Sequence, residues 1–111
     1  MQALHERHCI VIEKGSEPLD GVKVRELLAQ VQEWQVADDK KSISRLFRFT
    51  DFHQTMAFVN ALAWVAHQQD HHPDLEVGYN RCKVSYSTHT VQGLSINDFI
   101  CAARIDALLA R

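Results

Sequence analysis

The spacing of hydrophobic and polar positions changes several times along the chain, and each change marks an element. From Asp20, residues Val24, Leu27, Leu28 and Val31 fall at i, i+3, i+4 and i+7, the stripe of a helix expected to run to about Glu33. Trp34 to Ala37 then reads as a short strand and Asp38 to Lys41 as a polar turn. Ser42 to Phe49 is a second strand, with Ile43, Phe47 and Phe49 on one face and Ser44 and Arg48 on the other. Leu46 breaks this alternation and points to a partly covered outer face. Asp51, with Gln54 three residues on, opens the longest helix. Phe52, Met56, Val59, Ala63 and Ala66 are expected to line its buried side, widened by Phe58, Leu62 and Val65, as suits a helix laid across a sheet. Pro73 disfavours helical geometry in the residue before it, so this helix should end near His71 or His72.

Beyond Pro73 the period drops to two. Leu75, Val77 and Tyr79 alternate with Glu76, Gly78 and Asn80, and Cys82, Val84, Tyr86 and Thr88 with Lys83, Ser85, Ser87 and His89. This pattern predicts a hairpin turning near Asn80, with one dry face and His89 closing its second strand on the polar side. After the turn VQGL, Ser95 and Asp98 form a capping box for a last helix that buries Phe99, Ile100, Ala103 and Ala107. The order α-β-β-α-β-β-α predicts an α+β two-layer sandwich, a four-stranded antiparallel sheet with three helices on one face. Residues 1–17 lack periodicity and end in GSEP; they are expected to be a mobile or draping N-terminal tail on a single domain spanning 18–111. An open sheet has edges to protect, so a homodimer or homotetramer is expected.

Composition narrows the class. The 111 residues are 46% hydrophobic and 23% charged, which fits one globular domain with a core that needs no staples. A formal net charge of −2 gives no basic footprint for nucleic acid. The most apolar run, Met56 to Ala66, is interrupted by Asn60 and too short to cross a bilayer, so no membrane partner is expected. No basic-then-apolar signal opens the chain, and Cys9, Cys82 and Cys101 form no CxxC pair. A cytoplasmic location with free thiols is the expectation.

The candidate chemistry gathers in HQQDHHPDLEVGYNRCKVSYSTH, residues 67–89, which hold four of the seven histidines. His67 and His71 share a helix face, Asp70 is positioned to orient an imidazole, and His72 and His89 approach from a loop and a strand end. Imidazoles around one pocket can both give and take protons near neutral pH. Expelling water needs that division, one group protonating the departing hydroxyl while another removes a proton from the neighbouring atom. A metal is the rival reading, since these imidazoles with Asp98 resemble a zinc or iron ligand set. Gln68, however, stands where the HxxxH zincin motif carries glutamate, and His5, His8 and Cys9 have no fourth ligand at finger spacing. Plain structural roles also exist: Asp98 as a helix cap, His53 and His67 as solvent-facing helix residues, and His89 as a turn donor.

The run HQQDHHPDLEVGYNRCKVSYSTH followed by GLSINDF, with EWQV, ISRLFRFTDF and FVNALAWVA upstream, resembles the pterin-4a-carbinolamine dehydratase family from about residue 18 to 108. The resemblance implies four antiparallel strands with helices on one face. It also implies a hydro-lyase that dehydrates 4a-hydroxytetrahydrobiopterin to quinonoid dihydropterin, recycling the cofactor of aromatic amino acid hydroxylases, with neither metal nor organic cofactor. By position, His71, His72 and His89 would be the catalytic set, His71 and His89 as general acid/base pair and His72 holding the substrate. Asp70, Ser87, Thr88 and Thr90 would line the pterin's polar edge together with these histidines. Trp34 would stand near the pocket as a core or lid residue, and His67 and Asp98 would support the site. The chain departs from many members at His67, where they carry an acidic residue, and at Leu75 to Val77, where they carry tryptophan and asparagine. Some animal members also act as dimerisation partners of a transcription factor, so the alternative is a non-catalytic dimerisation or regulatory module on the same fold.

Overall fold

A computed structural model describes residues 2–109. Helix α1 (Gly21–Leu28) opens at Asp20, whose carboxylate accepts from Lys23 N at 2.9 Å. It stops short of the expected Glu33. The chain instead folds through tight turns in which Gln30, Val31 and Trp34 donate their N–H groups to Leu27, Leu28 and Val31. This bend carries Val31 and Trp34 into the core, leaving them 2% and 1% exposed. Burying such side chains is worth roughly 1.5–3 kcal/mol each, enough to outweigh another turn of helix.

Strands β1 (Gln35–Val36), β2 (Ile43–Arg48), β3 (Asp74–Val77) and β4 (Arg81–Tyr86) form one antiparallel sheet in the order β1-β2-β4-β3. Ile43 pairs with Tyr86, Phe47 with Cys82 and Leu75 with Val84, so these six side chains share the core face. The strands are shorter than their alternation implied: Phe49 and Thr88 lie outside them, and Leu46 is exposed on the far face. Arg45, one of the inward positions, was not foreseen as part of the core. Its guanidinium lies 2.7 Å from Asp106 and stacks over the Phe47 ring at 4.3 Å.

Helix α2 (Phe52–Gln69) is capped by Asp51, which accepts from Gln54 N, while the Gln54 side chain returns to Thr50 N. Its buried face is only in part the one expected, Phe58, Leu62, Val65 and Ala66 being common to both. Thr55, Phe58, Leu62, Val65, Ala66 and Gln69 turn inward, whereas Phe52 and Ala63 are exposed, and Met56 and Val59 are half-buried. The helix is apolar almost all round, so its period did not single out one stripe. Thr55 tolerates burial because its hydroxyl sits 2.9 Å from the carbonyls of Asp51 and Tyr79. Helix α3 (Ile96–Leu108) buries Phe99, Ile100, Cys101, Ala102 and Ile105 against the sheet and α2. Asp106 on α3 accepts from Trp34 Nε1 at 2.9 Å as well as from Arg45, satisfying the indole inside the core.

The element order is the expected one, and the fold is α+β. Ahead of α1, Leu4 is buried in a single 3₁₀ turn (Leu4–Glu6) that packs on α3. The next residues are held by Arg104, which donates to Arg7 O, by Gln69, which accepts from Cys9 N, and by Asn97.

Candidate active site

The site begins where α2 ends. Asp70 closes the helix in the left-handed region (φ 51°, ψ 45°), a conformation aspartate tolerates better than most residues. Its N–H and that of His71 return to the carbonyls of Ala66 and His67, so the chain reverses at once and the helix ends before the expected His71. The reversal lays the His71 ring flat on Tyr86, centroids 5.2 Å apart and planes 16° apart. Tyr86 donates its hydroxyl to His71 O at 3.2 Å. Burial, and after it the neighbouring Cys101 thiol, push the Tyr86 phenol well above its ordinary range, so Tyr86 is a neutral donor.

His71 Nε2 lies 2.6 Å from Asp98 Oδ1, with the carboxylate fully buried. Asp98 Oδ2 accepts from Thr88 Oγ1 at 2.8 Å and from Ser95 N at 2.9 Å. Thr88 has one hydroxyl proton and spends it on Asp98, so in their 2.6 Å contact Ser95 Oγ donates to Thr88. Ser95 Oγ in turn accepts from Asn97 N at 3.2 Å. Asp98 is therefore both the capping-box residue of α3 and the partner of His71, one function on each oxygen. Assigned from this network, the His71 proton sits on Nε2 and Nδ1 is the nitrogen left for a ligand. Asp70, the carboxylate expected to orient an imidazole, is exposed and makes no side-chain hydrogen bond among the described residues. Asp98 fills that position.

A cavity of about 320 Å³ opens beside this network, lined by Gln69, Asp70, His71, Thr88, Thr90 and Asn97 together with residues 9–12. That is the lower end of the range for small-molecule sites, ~300–1,000 Å³. A second depression of about 290 Å³ is lined by Lys41, Ser87, Thr88, His89, Gln92 and Gly93. Thr88 lines both. His89 begins a 3₁₀ turn (His89–Val91) rather than ending a strand, because Thr88 bridges back to Gly93 and releases the chain from the sheet. Gly93 has a steric reason, since a Cβ there would meet Pro18 Cβ at 2.9 Å.

The expected residues thus divide. Asp70, His71, Thr88 and Thr90 meet in the first cavity, and Ser87, Thr88 and His89 in the second. His72 is exposed and lines neither; His67 is exposed beside Trp64, ring centroids 5.8 Å apart. Trp34 is in the core, 6.5 Å from the Tyr86 ring, and lines neither cavity. Sequence reasoning missed Gln69, Asn97 and Cys9. The first two were readable only as polar neighbours of Asp70 and Asp98, and Cys9 was read only as a metal-ligand candidate lacking a fourth partner. Among the described residues, no three His, Cys, Asp or Glu side chains converge as a metal ion would require.

Residues 17–108 match the family model described as pterin 4 alpha carbinolamine dehydratase. The chain belongs to this family. A relative from Nitrosomonas eutropha, provisionally named a pterin-4-alpha-carbinolamine dehydratase, is 55% identical over 96% of this chain and 93% of its own length. One from Hydrogenovibrio crunogenus with the same provisional name is 49% identical over 96% and 95%. Among solved structures, a transcriptional coactivator/pterin dehydratase from Brucella melitensis superposes with a TM-score of 0.81 at 31% identity, covering 85% of this chain and all of that one. A pterin dehydratase-like RuBisCO assembly factor of the alpha-carboxysome superposes with a TM-score of 0.60 at 26% identity, over 68% of this chain and 88% of that one. Pterin dehydratase-like chains therefore include members named for binding roles as well as for catalysis. No helix among the described residues is long and apolar enough to cross a membrane.

Proposed function

We propose that this protein dehydrates 4a-hydroxytetrahydrobiopterin to quinonoid dihydropterin, a hydro-lyase reaction that recycles the cofactor of an aromatic amino acid hydroxylase. The observation that carries the reading is the His71–Asp98 pair at the wall of a cavity sized for a small molecule. The substrate already tends to lose water, because the lone pair of its ring nitrogen pushes out the hydroxyl on the adjacent carbon. The protein supplies position and proton transfer. One imidazole delivers a proton to the departing hydroxyl, which leaves as water, and another accepts the proton from the ring nitrogen. His71, in the first cavity, and His89, in the depression on the other side of Thr88, are the pair for this work. The substrate spans Thr88, and the exposed His72 holds it. Asp98 holds the His71 ring in orientation through the 2.6 Å contact with Nε2. Asp70, Ser87, Thr88 and Thr90 supply the polar groups for the pterin edge, and Trp34 and His67 act behind or beside them. The reaction runs without metal or organic cofactor, in the cytoplasm, in a homodimer or homotetramer.

The test is the rate of carbinolamine dehydration followed by ultraviolet absorbance. Wild type should accelerate it, and His71→Ala and His89→Ala should each lose ~10²–10⁴-fold in kcat, the usual range for a positioned proton-transfer group. A folded wild type without acceleration would overturn the dehydratase reading. It would leave the second one, a dimerisation or regulatory module, which the names of the two structural relatives favour.

A further inference from the structure

Cys9 and Cys101 face each other where the N-terminal segment meets α3, their sulfurs 3.5 Å apart and their positions 92 residues apart in sequence. Cys101 is fully buried, whereas Cys9 is half-buried and lines the cavity that contains His71. Neither thiol takes part in the bonds among His71, Asp98, Thr88 and Ser95. We infer that Cys9 and Cys101 are a reversible oxidation site, at which hydrogen peroxide entering the His71 cavity joins the two sulfurs and ties the N-terminal segment to α3.

The backbone on each side of Cys9 is already held. Gln69 accepts from Cys9 N at 2.8 Å, and Asn97 pairs with Ile10 through both its oxygen and its nitrogen, at 2.9 and 2.8 Å. The two sulfurs therefore stay in register without a bond. Reaching a disulfide length of ~2 Å requires the sulfurs to close from their present 3.5 Å. The thiols are also unequal. The hydrogen bond from Cys101, helped by the charges of His71 and Arg104, holds the Cys9 thiol below its ordinary range against the opposing effect of burial. The same hydrogen bond, with burial, pushes Cys101 far up. Cys9 is thus the nucleophile and the one within reach of solvent, and Cys101 is the resolving thiol.

The step balances. The Cys9 thiolate attacks one peroxide oxygen, the O–O bond breaks, and hydroxide leaves to take up the proton that Cys9 released. The resulting sulfenic acid is attacked by the Cys101 sulfur, so an S–S bond forms and an S–O bond breaks. The departing hydroxide takes the Cys101 proton and leaves as a second water. The two sulfurs together lose two electrons, and peroxide gains them. A small-molecule thiol reverses the reaction by exchange. Because residues 9–12 line the cavity, the bond fixes one of its walls.

The full-length protein is treated with equimolar hydrogen peroxide, its free thiols are alkylated, and it is mapped without reduction. The expected product carries a Cys9–Cys101 linked peptide, with Cys82, buried in the sheet, as the remaining free thiol. Amide exchange in residues 8–12 slows in the oxidised form and recovers with dithiothreitol. In Cys9→Ser the linked product disappears and Cys101 stays reduced. In Cys101→Ala, which keeps the buried position free of a polar group, Cys9 halts as a sulfenic acid that a 1,3-dione traps. A wild-type map with over-oxidised Cys9 or intermolecular Cys9 pairs and no Cys9–Cys101 peptide overturns the inference. So does a linked product whose exchange in residues 8–12 is unchanged.

Discussion

Asp98 carries more of the site than any other residue, because its two oxygens serve different neighbours. Replacing it with asparagine keeps the size and leaves one oxygen as acceptor, but removes the charge beside His71 Nε2. A hydrogen bond to a charged group contributes ~1.5–3 kcal/mol, so Asp98→Asn should lower kcat for carbinolamine dehydration roughly 10–100-fold. KM should change far less, since Asp98 is fully buried behind His71. Ser95→Ala removes the donor to Thr88 and the acceptor for Asn97 N while leaving the His71 contact, and should cost ~1 kcal/mol of stability with a smaller effect on rate. Equal losses of rate in the two variants would mean that the network acts only as a scaffold. The pairing of His71 with Asp98 was out of reach of the sequence, although both residues were singled out in it. Capping chemistry accounts for one oxygen of Asp98 from local spacing, whereas the other oxygen meets a residue from a different helix end.

Among the elements, the N-terminal segment is the one whose attachment rests on few, identifiable bonds. Asn97 holds Ile10 through both of its polar atoms, and Gln69 holds Cys9. Asn97→Ala should speed amide exchange and proteolysis around residues 8–12. Since these residues wall the cavity, it should raise KM several-fold with kcat nearly unchanged. An unaltered KM would separate the segment from the ligand. The two hairpins and the helix starts at Asp20, Asp51 and Ser95 were legible because each depends on neighbours in sequence, whereas the β2–β4 pairing that joins the hairpins was not. The end of α1 was not, because Val31 and Trp34 leave the helix to reach a core assembled from distant elements. The buried face of α2 was only partly legible: Phe58, Leu62, Val65 and Ala66 are buried as expected, but with Phe52 and Trp64 at 50% and 61% exposure, apolar character alone does not say which side meets the sheet. Arg45 was hidden for a related reason, its charge being matched by Asp106 far along the chain.

For the molecule as a whole, three buried acids that keep their protons set the alkaline limit of stability. Tyr86, Cys101 and Cys82 are all pushed up, Tyr86 and Cys82 chiefly by burial and Cys101 chiefly by its hydrogen bond with Cys9. In the unfolded chain thiols ionise near ~8.5 and tyrosine near ~10, so above those values the unfolded state binds fewer protons than the native one. Stability supplied by these groups is therefore complete below about pH 8 and falls as pH rises beyond it. Cys9, held low, contributes with the opposite sign and offsets part of the thiol effect. Melting temperatures under reductant should be level from neutral to about pH 8 and decline above it, with the steepest loss past about pH 10. Tyr86→Phe should flatten that last part of the curve, and an unchanged slope would assign the decline to other groups. The double use of Asp98 bears finally on how relatives of this protein are read. A relative that served a binding role alone would still use a carboxylate here to cap the start of its last helix, and has reason to keep the aspartate on that ground. Its presence is thus a poor marker of enzymatic competence; the imidazole opposite it, which no helix requires, is the more telling residue to compare between relatives.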